Sequence, residues 1–342
     1  MKRTLSFLLC LTFLTLISCQ SQQTAQTSNL SQSSTTSQTK QQPAQRFPIL
    51  QNNKWGYINA AGKIVIEPKF NAAEDFNDGL ARVVINGNYA YINPAGETLI
   101  KPQFKQAADF SEELAAIEID RKWGFIDQTG KIVIKPQFDL IWGFSEGLAA
   151  VEINRKIGFI DKAGEIVIQP QFDEIRRFSD GLAAVAINGK MGYIDKTGKM
   201  VIPPQFILTE GFSEGLAPAQ ITDKFGYIDK TDKMVIPPQF ILAEGFSEGL
   251  AAVGIGGKMG YIDKAGKTVI QLQFDEAKNF SEGLAAVEID SKIGYIDKTG
   301  KIIIPPQFDQ AQPFKNGLAS VKINDQFAYI DKAGNYVWKP QS

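Results

Sequence analysis

Histidine is absent from the 342-residue chain, and cysteine occurs only twice, at Cys10 and Cys19. Without histidine the chain has neither the commonest general base nor the commonest metal ligand. With both thiols in the first twenty residues, no disulfide or cysteine-metal framework can exist downstream. Neither charge sign dominates, with 36 Lys and Arg against 37 Asp and Glu, so no basic field awaits nucleic acid. These absences lead us to expect no enzyme, no catalytic residue, no cofactor and no metal.

What is present is a core-forming composition, 44% hydrophobic and 11% aromatic, preceded by a different kind of N-terminus. Residues 1–19 read MKRTLSFLLCLTFLTLISC: basic Lys2 and Arg3, then an apolar run from Leu5 to Ile17 with the length of a signal h-region, too short for a comfortable membrane span. Its end, Leu16-Ile17-Ser18-Cys19, resembles the lipobox of bacterial lipoproteins. The resemblance implies cleavage between Ser18 and Cys19 and acylation of the Cys19 thiol, and so a chain anchored to a lipid bilayer without spanning it. An ordinary secretory signal with an incidental Cys19 is the alternative. Gln20, where an Asp would resemble an inner-membrane retention signal, favours an outer membrane if the cell has one. Residues 19–46 would then be the lipidated cysteine and a disordered Gln/Ser/Thr tether, since so polar a segment cannot offset its ordering entropy.

From Phe47 onward the chain repeats itself. Aligned on Trp55-Gly56, the copies fall at Tyr89-Ala90, Trp123-Gly124, Ile157-Gly158, Met191-Gly192, Phe225-Gly226, Met259-Gly260, Ile293-Gly294 and Phe327-Ala328, every step being 34 residues. Nine units thus occupy residues 47–341. Helical arrays share this period, but a unit such as LAAVEINRKIGFIDKAGEIVIQPQFDEIRRFSDG (residues 148–181) shows short β-rich runs parted by turn residues and no 3.6-residue stripe.

Within that unit an a strand is expected over Leu148 to Ile153 and a b strand over Lys156 to Ile160. They are joined by a two-residue type I′ hairpin, because its counterparts read Asn188-Gly189 and Gly256-Gly257. The next turn, Asp161 to Gly164, carries Gly in every copy but the one with Asp232, as a left-handed slot requires. A c strand from Glu165 to Gln169 should end at Pro170, and residues 171–181 should serve as a link. Phe172 and Phe178 of that link are matched by Phe in each of the seven other links, sixteen in all at two fixed slots, which marks a core between modules.

The expectation is an all-β array of three-stranded modules, an open superhelix by preference, with a closed propeller-like ring as the alternative. Nine blades exceed the usual number for a propeller, and three strands fall short of its four.

The units are similar to the WG repeat family of bacteria, most fully at Lys54-Trp55-Gly56-Tyr57-Ile58-Asn59 and Lys122-Trp123-Gly124-Phe125-Ile126-Asp127, followed by Gly, Val-Ile-x-Pro-x-Phe and Phe-x-x-Gly-Leu-Ala. Seven copies lack the Trp, so that slot wants apolar volume and not indole chemistry. The resemblance implies a repeat domain used for interaction and names no ligand.

Recurring polar residues read as structural. The Asp after the b strand (127, 161, 195 and onward) suits turn capping better than a cation ladder, since calcium takes six to eight oxygens. Phe-Ser-Glu-Gly reads as a turn, and Lys before the WG slot as a solvated edge charge. Departures from the consensus are more informative. Trp142, and Arg176-Arg177 one module later on the same slots, form a candidate aromatic and cationic binding patch. The functional expectation is a lipid-anchored cell-envelope scaffold, in the periplasm or at the cell surface, binding an envelope protein or polysaccharide and no nucleic acid. A passive spacer and a carboxylate-only glycosidase are the alternatives.

Overall fold

A computed structural model describes residues 45–340; the proposed leader, Ser18, Cys19 and nearly all of the tether lie outside them. Nine small antiparallel sheets follow one another, each built from contiguous residues. In the fourth, the a strand Ala149–Ile153 pairs with the b strand Lys156–Ile160, which pairs with the c strand Ile166–Phe172.

The a–b hairpin has both central residues left-handed, Asn154 at φ 53° and Arg155 at φ 62°, as type I′ demands. At the b–c turn the Gly164 N–H bonds the Asp161 carbonyl (3.0 Å), with Gly164 at φ 84°, and Asp232 fills the same slot at φ 67°. Turn chemistry read from the sequence therefore fixes both hairpins.

The c strand does not stop at Pro170. It runs on to Phe172, with register shifts against the b strand on either side of Ile168. A proline is tolerated there because the ladder is bulged and the strand lies at a sheet edge, where no neighbour needs its missing N–H.

A second departure concerns the link, which supplies a fourth strand. Leu140–Ile141 pair with Glu152 and Val151, and a tight Glu146-Gly147 turn, both residues at positive φ, returns the chain to the a strand. Blade 3 makes the same contact through an Ala107–Ile117 bridge. Four strands remove one of the two objections to a propeller.

The array takes the closed form and not the open superhelix we favoured. Phe47 and Ile49 of blade 1 share a core with Leu318 and Trp338 of blade 9. The Phe47 and Tyr329 rings lie 5.5 Å apart, and the Tyr329 hydroxyl donates to the Pro48 carbonyl (2.9 Å). The end modules bury each other's apolar faces, which an open array would leave in water.

Packing between blades explains the two Phe slots. The link Phe of each blade from the second to the ninth meets the b-strand aromatic of the blade before it, as in Phe125–Phe144 at 4.8 Å and Tyr193–Phe212 at 4.7 Å. The other Phe closes the c strand over the WG slot, where Ile157 faces Phe172. Glycine recurs beside that slot because a Cβ on Gly158 would stand 2.4 Å from the Ile168 carbonyl oxygen. Ala90 and Ala328 show that two blades accommodate a methyl there.

Candidate binding surface at the inner rim

Equivalent residues of neighbouring blades meet at the link strand. Arg176 reaches Glu210, 34 residues on, and the Cβ position of Gly211 lies 3.4 Å from the Ser179 Cβ. Neighbouring blades of a ring stand closest together near its axis, so the short strand forms the inner rim, while the c strand, with residues such as Ile166 and Val167 exposed, forms the outside.

Most recurring polar groups are consumed in joining blades. The Ser145 hydroxyl donates to the Phe178 carbonyl of the next blade (2.8 Å), a bond repeated from Ser111 to Ser281. Glu248 accepts from the Gly283 N–H (3.1 Å) and pairs with Lys298 (2.9 Å). Burial raises the Glu248 carboxyl's pKa, but the Lys298 hydrogen bond and charge and the backbone N–H groups outweigh it, and the net shift is downward. Glu214 and Glu282 behave alike.

Each Asp after a b strand caps its turn. Asp195 Oδ1 accepts from the N–H groups of Thr197 and Lys199 and from the Thr197 hydroxyl (2.6 Å), and that hydroxyl is the main reason its pKa falls. Among the described residues no group of three or more His, Cys, Asp or Glu side chains is placed to hold a metal ion. Lys122, expected as a free edge charge, pairs with Asp139 (2.5 Å).

Six buried tyrosines donate to the inner-rim carbonyl seventeen residues on, from Tyr57 to Glu74 (2.8 Å) through Tyr295 to Gln312 (2.7 Å). Burial raises their pKa values, so they stay neutral donors. Phe125 and Phe159 stand in this slot and bring no hydroxyl to Trp142 or Arg176, the rim residues seventeen positions after them.

The three candidate residues sit on this rim but are engaged differently. Trp142 is partly buried against the core between blades 4 and 5. Arg176 makes a two-pronged contact with Glu210 (2.8 and 3.3 Å), and Arg177 is exposed. The structure brings Trp142 and Arg176 to matching positions on adjacent blades, yet turns the guanidinium toward Glu210 and not over the indole. The same rim is acidic in blades 2 and 3, where Arg82 lies between Asp109 (2.8 Å) and Glu74 (3.6 Å).

Two cavities, of about 390 and 1040 Å³, lie where blade 9 meets blade 1, bordered by Ile49, Trp55, Asp75, Lys315, Tyr329 and Trp338. The sequence reading passed over this site. Its one signal was Phe47, standing at a slot that the other eight copies give to Ala.

The WG containing repeat matches eight times end to end, over residues 55–89, 89–123, 123–156, 157–190, 191–225, 225–258, 259–292 and 293–327. The chain belongs to the WG containing repeat family. Among solved structures, this WG repeat ring is similar to a eukaryotic initiation factor at TM-score 0.61 and 12% identity, covering 87% of this chain and 98% of that one. It also aligns with BamB from Moraxella catarrhalis at TM-score 0.42 and 11% identity, covering 78% and 95% of the two chains. At such identities the first likeness speaks for the propeller fold alone, and the second carries no argument. No curated protein sequence matches the WG repeat chain.

Proposed function

We propose that this WG repeat ring is a non-catalytic, lipid-anchored scaffold of the bacterial cell envelope that holds an envelope protein or polysaccharide at its inner rim. One observation carries the reading. The Ser, Glu and Asp side chains that recur at fixed slots are spent on joining blades and capping turns, whereas the rim is where blades differ, with Trp142, Arg176 and Arg177 on one arc and Glu74, Asp75 and Asp109 on another. A repeated frame with a varied rim suits recognition better than chemistry. The anchor rests on the leader sequence and its Leu16-Ile17-Ser18-Cys19 end.

Two measurements test it. Intact-mass analysis of the mature protein should find an acylated N-terminal Cys19, and Cys19→Ala should move the protein out of the membrane fraction; an unmodified Cys19 would remove the anchor. The acylated protein should capture a partner from native envelope that the triple variant Trp142→Ala, Arg176→Gln, Arg177→Gly does not. Equal capture by both would take the site away from this arc, and none by either would leave a passive spacer.

A further inference from the structure

Six consecutive blades, 3 to 8, carry Lys at the start of the b strand. In four of them that Lys pairs with an Asp seventeen residues on, just before the next blade's inner strand. The same Asp caps the a–b hairpin of its own blade, as where Asp139 accepts from the Asn154 N–H (3.2 Å) and Asp309 from the Asn324 N–H (2.8 Å). Two neighbouring junctions break this pattern, because Ile207 and Ile241 fill the Asp slot of blades 6 and 7. Among the described residues Lys190 and Lys224 then have no carboxylate partner, and both are exposed. Residues 1–44 and 341–342 contain no Asp or Glu, so no acidic side chain outside the described residues can supply one.

The exchange also uncovers apolar surface. Ile207 is 47% and Ile241 50% exposed. Each lies one register step past its inner strand, beside Ile221 and Ile255 at the end of the a strand, and these two are exposed as well. Leu242 is 54% exposed, with only Gly254 across the strand from it. Aliphatic residues at the start of the c strand, such as Ile132, Ile166 and Ile302, are exposed in blade after blade and belong to the repeat. The patch on blades 6 and 7 does not recur. It forgoes two ion pairs and two hairpin caps for no replacing contact among the described residues, and an exposed apolar cluster that breaks a local rule in this way marks a surface used for binding.

We propose that this patch, on the hairpin face of blades 6 and 7, docks a polypeptide segment whose aliphatic side chains are flanked by carboxylates. The proposal deepens the binding reading above and rests on it, at a different arc of the ring from Trp142 and Arg176. The segment's aliphatic side chains would cover Ile207, Ile221, Ile241, Leu242 and Ile255. Its carboxylates would stand in for the Asp that both junctions lack and meet Lys190 and Lys224. Charge decides the choice of partner. Asp223 is the one acid in the a–b hairpins of blades 5 to 7, and it accepts from the Thr222 hydroxyl (3.1 Å); the other two read Asn188-Gly189 and Gly256-Gly257. A basic segment, or a second copy bringing the same two lysines, would meet like charge. An apolar centre with a charged border is also how protein interfaces are built.

The experiment uses the full mature protein and two blocked, fluorescently labelled peptides of equal aliphatic content, Glu-Ile-Leu-Glu-Leu-Ile-Glu and Lys-Ile-Leu-Lys-Leu-Ile-Lys, with binding read by anisotropy. The acidic peptide should bind saturably and about tenfold or more tightly than the basic one. The double variant Ile207→Asp, Ile241→Asp restores what the other junctions carry, so it should melt no lower than the parent and yet bind the acidic peptide about tenfold or more weakly. Lys190→Glu with Lys224→Glu should reverse the preference between the peptides. Equal binding of both peptides, binding of neither, or an acidic peptide held as well by the Asp variant overturns the site. So does a dimer in sedimentation, or adsorption to phosphatidylglycerol vesicles, that the Asp variant abolishes, since the patch would then belong to a second copy or to a lipid surface. None of these measurements alters Trp142, Arg176 or Arg177, on which the capture test depends, so failure here and failure of the scaffold reading are told apart.

Discussion

The junction between blades 5 and 6 and the seam between blades 9 and 1 join the same kinds of surface by different means. At the first, Phe212 inserts against Tyr193, the Ser179 hydroxyl bonds the Phe212 carbonyl, and Arg176 holds Glu210. At the second no incoming link is among the described residues, and Phe47 supplies a ring from the a strand, 5.5 Å from Tyr329. Lys315, in the slot where six other blades carry Ser, pairs with Asp75 (2.7 Å). Among the described residues the seam thus replaces the ring contact without a link strand beside the blade 1 a strand. Closure here needs apolar contact more than it needs a complete ladder.

The largest test of this contrast is truncation of the two rings. Phe212 is fully buried, and Phe212→Ala should cost about 3–5 kcal/mol in denaturant unfolding. Phe47→Ala, beside an existing cavity, should cost less, about 2–3 kcal/mol. Equal losses would mean that the seam is packed as tightly as any junction. Next in size, Gly158→Ala places a methyl against the Ile168 carbonyl and should cost about 1–3 kcal/mol by thermal unfolding, whereas Ala90→Gly should be close to neutral. A cost as small for Gly158 as for Ala90 would show that the c strand yields freely in every blade.

A smaller effect of opposite sign is expected at blade 3, where Glu113 occupies the left-handed slot that the other turns give to Gly, at φ 72°. Glu113→Gly should raise stability by about 1 kcal/mol, and a lower melting temperature would show that its contacts outweigh the strain. The smallest effect concerns pH. The carboxyls of Glu214, Glu248 and Glu282, and of Asp127, Asp195, Asp229 and Asp297, titrate below their ordinary values of 4.5 and 3.8 when folded. An unfolded chain therefore binds protons more readily, so their contribution is present above about pH 4.5 and is lost as pH falls through the lower folded values. Melting temperature should be flat from pH 7 to 5 and drop below pH 4. A drop already at pH 6 would point to other groups.

Much of this architecture was legible in the sequence because each unit states its own turns. Asn188-Gly189 and the recurring Gly of the b–c turn fixed two hairpins, and the paired Phe slots fixed the interfaces. The fourth strand was missed, although Asp78-Gly79, Asp180-Gly181 and Asn316-Gly317 are strong hairpin signals. Reading the link as a connector hid them, because in blades 4 to 9 its strand is only two residues long. Ring closure was harder to see, since Pro48 and Tyr329 meet across 281 residues and no local pattern records that contact. For the candidate patch, alignment placed Trp142 and Arg176 on matching slots. It could not show that Glu210, an ordinary member of the same slot, holds the guanidinium.

Among the described residues every sheet in the ring is built from one unbroken stretch of chain, and no strand from one end completes a sheet at the other. The ring can therefore be cut between any two blades, and the old ends joined, without splitting a sheet, so circular permutants opened at different junctions should all fold. For the same reason a duplication or deletion of one 34-residue unit leaves each remaining sheet whole and changes only the curvature that every junction must share. An array of this kind can change its blade number in single steps, which places its evolutionary freedom in ring size and rim chemistry together.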